Sequence, residues 1–281
     1  MKKVIAIVGP TGSGKTKLSI ELAKYLNTEI INGDSVQVYK ELNIGSAKIL
    51  EEEKEGIKHH LLSIKNVGES YTVYDFQKDA RNLIEKIELP LIVGGSGLYI
   101  KSALYNYEFS PYTTKDIQVS IDEMIETIKK LDPNLNLDWQ NERRVRSAYK
   151  LVIHGDKRSE KNKHDEPIYD LFLIYLDIDR SVLKERLIYR LDQMIEKGFI
   201  EETQTLIEHE LNIIGYRELK SYLLGEITLE EAKDKIIKTS MSFAKKQKTW
   251  FKNQMHPKMY NALDPNLLDV VIRDLKQFLE E

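Results

Sequence analysis

The sequence predicts an α/β protein that has a parallel sheet and a helical insertion. The apolar run Val4–Val8 is followed at once by a glycine-rich turn and then by Lys17–Leu26, whose apolar residues recur at helical spacing. The other strand-like runs are also apolar without alternation, which is typical of parallel strands that are covered on both faces. Residues 107–166 interrupt this pattern, because they contain helical segments and no convincing strand.

The other core elements follow in order. Glu29–Asn32 is a second short strand, Tyr74–Ile87 is an amphipathic helix, and Pro90–Gly95 is a buried strand that ends in glycines. Asp170–Asp177 is a fourth strand, and from Ser181 onward we predict only helices.

The insertion divides the core into two segments. We assign residues 1–106 and 167–281 to the core and residues 107–166 to the insertion, with helices near Ser120–Leu131 and Asn141–Ile153. Two polar loops flank these helices, Ser110–Asp116 and the charge-rich connector Gly155–Glu166.

Composition excludes several classes of protein. The chain has 281 residues, a formal net charge of -3 and no cysteine, which excludes disulfide scaffolds, thiolate zinc sites and thiol nucleophiles. No window approaches the length of a membrane-spanning helix, and the apolar run after Lys3 is too short for a signal peptide. We therefore expect a cytoplasmic protein. The negative charge argues mildly against a nucleic-acid partner, but it averages acidic segments such as Glu51–Glu55 with a basic C-terminal segment.

The glycine-rich turn has the pattern of a phosphate-binding loop, typical of nucleotide-binding and ATP-binding proteins. It consists of Gly9, Pro10, Thr11, Gly12, Ser13, Gly14, Lys15 and Thr16. Backbone amides and the start of the following helix bind phosphate oxygens, Lys15 adds a positive charge, and the Thr16 hydroxyl can bind Mg²⁺. The loop therefore predicts a diphosphate or triphosphate ligand, but does not identify the molecule that carries it.

The metal-binding acid that usually accompanies such a loop is missing from the expected position. The strand Leu91–Val93 continues into Gly94, Gly95 and Ser96, without an acid. Asp177 and Asp179 follow another strand, but helix capping explains them equally well. This favours a transferase from which diphosphate departs over a nucleotide hydrolase.

Asp34 lies just beyond the carboxyl end of the second strand, at the edge of the sheet where α/β proteins bind ligands. A carboxylate in this position can accept a proton from a nucleophile that approaches the ligand of the loop. The alternative is an aspartate that stabilises a local turn.

Several segments together resemble one family, the tRNA dimethylallyltransferases or tRNA isopentenyltransferases. The resemblance extends over almost the whole chain and is carried by the phosphate loop, Asp34–Tyr39, Ile44–Lys48, His59–Leu61, Tyr71–Phe76, Gly94–Tyr99, Met194–Gly198, Gly215–Arg217 and Ala244–Phe251. A phosphate loop alone is unspecific, whereas this combination is very specific.

The resemblance implies a P-loop kinase-like core with a helical insertion that grips the anticodon stem-loop. It implies transfer of a dimethylallyl group from dimethylallyl diphosphate, with Mg²⁺, to the exocyclic amine of the adenine that is 3′ to the anticodon. The substrates implied are tRNAs that read codons beginning with U. The absence of a C-terminal Cys/His finger favours the bacterial type, and we expect a monomer.

The resemblance also implies roles for individual residues. Asp34 would be the general base, Ser96 would stand beside the reacting centre, and Arg217 would stabilise the departing diphosphate. Residues that would contact tRNA are Asp34, Ser35, Val36, Gln37, Ser96, Glu142, Arg143, Arg144, Val145, Arg146, Lys245, Lys246 and Gln247.

The sequence departs from the family pattern in places. Ser96 stands where threonine is common, which keeps the hydroxyl group, and Leu137–Arg146 replaces the usual I-H-P-N-D segment. Trp250 is either a base-stacking residue or a core residue, and the lysines around it are either an RNA surface or a solvated helix face. We interpret His59 and His60 as structural residues, because adjacent side chains point in different directions.

Other functions share some of these features. A P-loop kinase, or a prenyltransferase that acts on free adenine nucleotides, needs neither the insertion nor the basic segment. A non-catalytic nucleotide-binding RNA module would tolerate the loss of Asp34. Whether ATP competes at the loop does not follow from the sequence.

Overall fold

The structure is a computed structural model that describes residues 1–109, 119–160 and 166–280. Its contacts divide the chain into two compact units, residues 1–105 with 167–281 and residues 106–166. The predicted loop Ser110–Asp116 lies outside the described residues, as do residues 161–165 of the predicted connector.

The larger unit has a six-stranded sheet. Its strands are β1 (Lys3–Val8), β2 (Ile30–Asn32), β3 (His59–His60), β4 (Leu91–Gly94), β5 (Asp170–Asp177) and β6 (Lys258–Asn261). They lie in the order β3-β2-β4-β1-β5-β6, and each neighbouring pair is parallel. The predicted α/β fold class is therefore confirmed.

The described helices are numbered along the whole chain. They are α1 (Lys15–Leu26), α2 (Val73–Lys86), α3 (Gly97–Leu104), α4 (Ile121–Leu131), α5 (Glu142–Val152), α6 (Arg180–Glu196), α7 (Phe199–Thr205), α8 (Tyr216–Leu223), α9 (Leu229–Gln254) and α10 (Leu267–Glu280). Among the described residues, none of these helices has the length and apolar character needed to cross a bilayer.

Successive residues of a strand point to opposite faces of the sheet. Both sets of side chains are apolar here, and helices cover both faces. On β1, Val4, Ala6 and Val8 belong to a core cluster with residues of α2, α3 and α9. Ile5 and Ile7 belong to the opposite cluster, with residues of α1 and α10. This explains why the strand is apolar at every position.

The expectation of helices alone beyond Ser181 is wrong, because β6 pairs with β5 along Lys258–Asn261. Of its four residues only Tyr260 is buried, since β6 is an edge strand. Its short polar sequence therefore lacks the continuous apolar run that identifies the central strands.

At the carboxyl end of the sheet, β4 lies against the backbone that follows β2. A methyl group on Gly94 would lie 2.2 Å from the carbonyl oxygen of Gly33. We expect Gly94→Ala to lower the free energy of unfolding by about 3 kcal/mol, because backbone atoms must move to relieve the clash. Urea denaturation followed by circular dichroism measures this loss.

Gly33→Ala is the matched control, since its added methyl group meets side-chain atoms alone, of Ile100 at 3.0 Å and of Ile92 at 3.4 Å. We expect a loss of about 1 kcal/mol there, because a side chain can adjust. Equal stability of the wild type and Gly94→Ala would contradict the close approach of the two strands.

The smaller unit contains α4 and α5. Met124 and Ile128 of α4 pack with Val145 and Ala148 of α5 in a buried cluster. Ser120 caps α4 by accepting a hydrogen bond from the backbone nitrogen of Glu123 at 3.2 Å. The two helices thus have a small apolar core of their own.

Candidate active site

A cavity of 670 Å³ in the larger unit contains many of the predicted site residues. The predicted residues that line it are Thr11, Asp34, Ser35, Val36, Ser96 and Gln247. They come from the loops after β1, β2 and β4 and from helix α9. The structure therefore brings together residues that are up to 236 positions apart in sequence. The cavity lies at the carboxyl edge of the strands, where parallel α/β sheets bind ligands.

The phosphate loop adjoins this cavity at Thr11. Gly14, the residue before α1, has φ 92°, a left-handed conformation that favours glycine. Ser13 stabilises the turn, because its hydroxyl donates to the carbonyl oxygen of Pro10 at 2.8 Å. Arg186 of α6 donates to the carbonyl oxygen of Gly12 at 3.2 Å. The loop is thus held in shape from within and by α6.

Lys15 lies folded back on the loop, where its ammonium group donates to the carbonyl oxygens of Gly9 and Pro10, each at 2.8 Å. Burial lowers the pKa of Lys15 to about 8, the nearby Asp34 acts in the opposite direction, and Arg190 lowers it further. The ammonium group is therefore charged below pH 8 and loses its proton above it.

We expect kcat/KM for a diphosphate substrate to fall about tenfold for each pH unit above pH 8, because this constant follows the free enzyme. kcat should be less sensitive, since bound diphosphate keeps Lys15 protonated. A pH series from 6.5 to 9.5, with Lys15→Arg as the comparison that stays charged, measures the effect. A wild-type profile that is flat to pH 9.5 would contradict it.

Asp34 acts electrostatically on several groups of the site. Its negative charge favours the protonated forms of Lys15, Arg190 and the phenol of Tyr99. Burial, with the charges of Tyr39, Asp75 and Asp34, raises the pKa of Tyr99 to about 12. One carboxylate oxygen of Asp34 accepts a hydrogen bond from the backbone nitrogen of Val36 at 2.9 Å. This bond fixes the orientation of a carboxylate that lines the cavity.

Ser35 and Ser96 are connected across the cavity wall. The Ser96 hydroxyl accepts a hydrogen bond from the backbone nitrogen of Ser35 at 3.0 Å and donates to the Ser35 hydroxyl at 3.1 Å. The pair joins the loop after β2 to the loop after β4. Either hydroxyl is therefore positioned to contact a ligand beside Asp34.

Two glutamines support the walls. Gln37 donates through Nε2 to the carbonyl oxygens of Ser46, at 3.1 Å, and Ala47, at 3.4 Å, which orders a wall segment. Gln247 is buried and donates through Nε2 to the carbonyl oxygen of Gly95 at 2.8 Å. Its Oε1 is buried and has no hydrogen-bond partner in the part of the chain that the structure describes. Gln247 thus fastens α9 to the end of β4.

Glu202 of α7 holds the loop that follows Leu42. Its carboxylate accepts hydrogen bonds from the backbone nitrogens of Asn43 at 3.1 Å, Ile44 at 2.8 Å and Gly45 at 2.9 Å. It also accepts one from the Tyr216 hydroxyl at 2.6 Å. Because four donors share one carboxylate, the wall next to Gly45 is well fixed.

Arg217 is not brought to this cavity. It is exposed, and its guanidinium donates to the side chain of Asn212 at 3.0 Å and to that of Glu218. Gly215 makes the predicted turn, but α8 begins at Tyr216 and directs Arg217 toward the surface, while Asn212 to Gly215 line the cavity. The structure therefore does not support Arg217 as the cation beside the leaving group.

A different arginine lies at the cavity. Arg190 of α6 lines it together with Thr11 and Asp34. Burial lowers the pKa of its guanidinium, and the charge of Asp34 acts in the opposite direction. No ion pair of Arg190 occurs among the described residues. Sequence reasoning missed it, although an arginine one turn beyond Arg186 in an otherwise leucine-rich stripe was a signal.

The predicted RNA-contacting residues of the smaller unit lie on α5. Glu142, Arg143, Arg144 and Arg146 are exposed, and Arg146 pairs with Glu142 at 3.8 Å. Val145 is fully buried in the cluster between α4 and α5. The assignment of its side chain to RNA contact is therefore wrong, since it is a core residue.

The predicted basic surface is partly neutralised. Lys245 and Lys246 of α9 are exposed, whereas Lys248 pairs with Asp177 at 2.7 Å. Trp250 is partly buried and packs against the cluster that contains Phe251, which supports its interpretation as a core residue.

Both histidines of β3 contact oxygen atoms of neighbouring residues. His60 of β3 contacts the carboxylate of Glu29 at 2.6 Å, and His59 contacts the carbonyl oxygen of Ile57 at 2.9 Å. Within the described residues there is no group of three or more acidic or histidine side chains that could hold a metal ion.

Comparison with known proteins decides the family. The family model described as IPP transferase matches residues 37–254, which is more than half of the chain. The chain belongs to the IPP transferase family. The predicted resemblance is thereby confirmed.

Members of this family match the chain along nearly its whole length. The chain is 61% identical to the tRNA dimethylallyltransferase of Acholeplasma laidlawii over 279 residues, which is 99% of each sequence. It is similar to the crystal structure of tRNA delta(2)-isopentenylpyrophosphate transferase from Staphylococcus epidermidis, with 34% identity, a TM-score of 0.76 and full coverage of both chains. It is also similar to a eukaryotic dimethylallyltransferase acting on tRNA, with 26% identity and a TM-score of 0.83 over 98% of this chain and 78% of the other.

Proposed function

We propose that this IPP transferase family member transfers a dimethylallyl group from dimethylallyl diphosphate to tRNA. The acceptor is the exocyclic amine of the adenine 3′-adjacent to the anticodon, in tRNAs that read codons beginning with U. The observation that carries this proposal is that Asp34 acts electrostatically on Lys15 of the phosphate loop and lines one cavity with Arg190 and with hydroxyl and aromatic groups. The relatives named above support the same activity.

The cavity supports the chemistry on the acceptor side. The exocyclic amine of adenine is a weak nucleophile, and the base must leave its stack to reach an enclosed carboxylate. Tyr39 and Tyr99 provide aromatic surface for the base, and Ser35 and Ser96 provide hydroxyl groups for its polar edge. Asp34 accepts the amine proton while the nitrogen forms a bond to C1 of the donor.

On the donor side, the bond between C1 and the diphosphate oxygen breaks, and both electrons leave with the diphosphate. Negative charge grows on that oxygen, so fixed positive groups lower the barrier. The loop amides, Lys15 and Arg190 supply this charge from two directions. We assign the loop to the diphosphate of the donor and not to ATP.

Mg²⁺ fits beside the loop, since Thr16 is exposed in the first turn of α1 next to Lys15. The Thr16 hydroxyl would hold the ion, which when bound would neutralise charge on the leaving diphosphate. Such sites normally use few protein ligands, because Mg²⁺ keeps several waters and binds phosphate oxygens.

For the RNA, we assign phosphate contacts to the exposed residues Arg143, Arg144, Arg146, Lys245 and Lys246. Gln37 and Gln247 support the base site from the walls. We further propose that the protein acts as a cytoplasmic monomer.

The activity is tested by incubating the protein with Mg²⁺, dimethylallyl diphosphate and an unmodified tRNA that reads a codon beginning with U. Digestion and mass spectrometry should show one prenylated adenosine, 3′ to the anticodon. A tRNA in which guanosine replaces that adenosine is the matched control and should give no product. Product from free AMP but not from tRNA would overturn the proposal.

A further inference from the structure

The walls of the cavity separate into a polar part and an apolar part. The polar residues already described lie near the phosphate loop and the loop after β2. The apolar part is formed by lining residues that belong to one core cluster, among them Leu191, Met194, Phe199, Ile213 and Ile236, with Leu187 of α6 beside them. Neither a phosphate group nor the polar edge of a base gains from such surroundings, so the apolar part suits a hydrocarbon.

Helix α6 runs from the phosphate loop into the apolar part. A methyl group on Gly12 would lie 3.3 Å from Leu183 and 3.8 Å from Leu187, so this turn of α6 packs directly on the loop. Leu191 and Met194 follow on the same face of the helix. At a rise of 1.5 Å per residue, Met194 lies about 10 Å beyond Leu187 along the helix axis.

Helix α9 also extends from the polar part of the cavity to the apolar part. Gln247 is fixed to Gly95 at the end of β4, while Ile236 lies eleven residues earlier, or about 16 Å along the helix. Both residues line the cavity. Met194, Phe199 and Ile236 therefore mark the end of the cavity that is farther from the phosphate loop.

The length of an allylic tail can be compared with this depth. An extended chain advances about 1.2 Å per bond, so a five-carbon tail reaches about 4 Å beyond C1 and a ten-carbon tail about 8 Å. For a C1 atom at the level of Leu187, Leu191 lies about 6 Å and Met194 about 10 Å further along α6. The longer tail then ends about 2 Å before the level of Met194, within reach of its side chain, whereas the shorter tail ends about 6 Å before it.

We propose that Met194 sets the length of the allylic tail that this cavity accepts, and that the tail lies along α6 between Leu187 and Met194. The proposal rests on the proposed function, because it assumes an allylic diphosphate donor. The bond changes are the same for either length: the C1–O bond breaks, the N–C1 bond forms, diphosphate leaves and the proton passes to Asp34. Only the contacts of the tail with the wall differ.

The test compares dimethylallyl diphosphate with geranyl diphosphate, its ten-carbon analogue, as donors to the same tRNA. In Met194→Ala we expect kcat/KM for the ten-carbon donor relative to the five-carbon donor to rise at least tenfold, because space opens at the end of the tail. In Met194→Phe we expect the ratio to fall at least fivefold, because the added ring shortens the cavity.

Met241→Ala is the matched control. Met241 is a buried methionine of α9 that packs with Leu183 and Leu187 and does not itself line the cavity, so its loss removes packing behind the wall without opening space at Met194. We expect the ratio to stay within twofold of the wild type. Calorimetric binding of the two diphosphates without tRNA should show the same order of preference.

The outcomes separate the two proposals. If the wild type transfers the five-carbon tail but the ratio changes in neither Met194 variant, Met194 does not set the length and this inference is overturned. If the wild type transfers neither tail to tRNA and binds neither diphosphate, the proposed function fails and this inference fails with it.

Discussion

Asp34→Asn is expected to slow prenyl transfer about 10³-fold, within the range that general bases contribute. The asparagine oxygen can still accept the hydrogen bond that the backbone nitrogen of Val36 gives to Asp34 at 2.9 Å, so the loop keeps its shape. What is lost is the group that removes the amine proton. Single-turnover measurements with saturating tRNA and donor report this step directly.

Asp79→Asn is the matched control for this variant. Asp79 is a partly buried carboxylate that accepts a hydrogen bond from the Tyr71 hydroxyl at 3.0 Å and does not line the cavity. We expect Asp79→Asn to transfer the prenyl group at a rate near that of the wild type. We also expect Asp34→Asn to bind tRNA with the affinity of the wild type. A rate for Asp34→Asn within tenfold of the wild type would show that another group takes the proton.

Arg190→Met should lower kcat/KM for the donor by 10²-fold to 10³-fold, about the effect of removing one charge-stabilising donor from an enclosed site. Methionine keeps most of the aliphatic stem, so the wall beside Leu187 and Leu191 stays filled. Arg190→Lys should recover part of the loss, because it restores the charge but not the planar fork. Competition with inorganic diphosphate measures how much of the loss in kcat/KM comes from weaker binding of the diphosphate before the reaction.

Arg217→Met provides the comparison on the same protein. Because Arg217 is exposed and paired with Asn212 and Glu218, we expect less than a threefold change. The opposite ranking, with Arg217→Met inactive and Arg190→Met active, would return the leaving-group role to Arg217. The rates of the two variants thus decide whether the leaving diphosphate is stabilised by Arg217, as the family resemblance implies, or by Arg190, as its position in the cavity indicates.

The parts of the site that depend on local sequence could be predicted. The phosphate loop is a continuous segment between a strand and a helix, so its pattern determines its shape. Asp34 follows directly from its place after β2, since the carboxyl ends of parallel strands share one edge. The caps at Ser120 and Asp179 are likewise local.

The parts that depend on the packing of distant elements could not be predicted. Arg190 and Met194 face the cavity only because Leu183 and Leu187 seat α6 on the phosphate loop, and no spacing within α6 reveals that contact. The side chain of Arg217 depends on its surroundings in the same way. A motif identifies the residue, but the start of α8 determines where its side chain points.

The order of the strands also has a consequence for how the chain acquires its structure. β1 is made first, yet its two neighbours in the sheet are β4, at Leu91–Gly94, and β5, at Asp170–Asp177. During synthesis from the N-terminus, one edge of this apolar strand therefore has no partner until the whole smaller unit has been made. Pairings of such long sequence separation slow folding, because loop closure precedes the contacts that compensate for it. The connection that contains residues 106–166 thus lengthens the time during synthesis in which this edge of β1 lacks its neighbour.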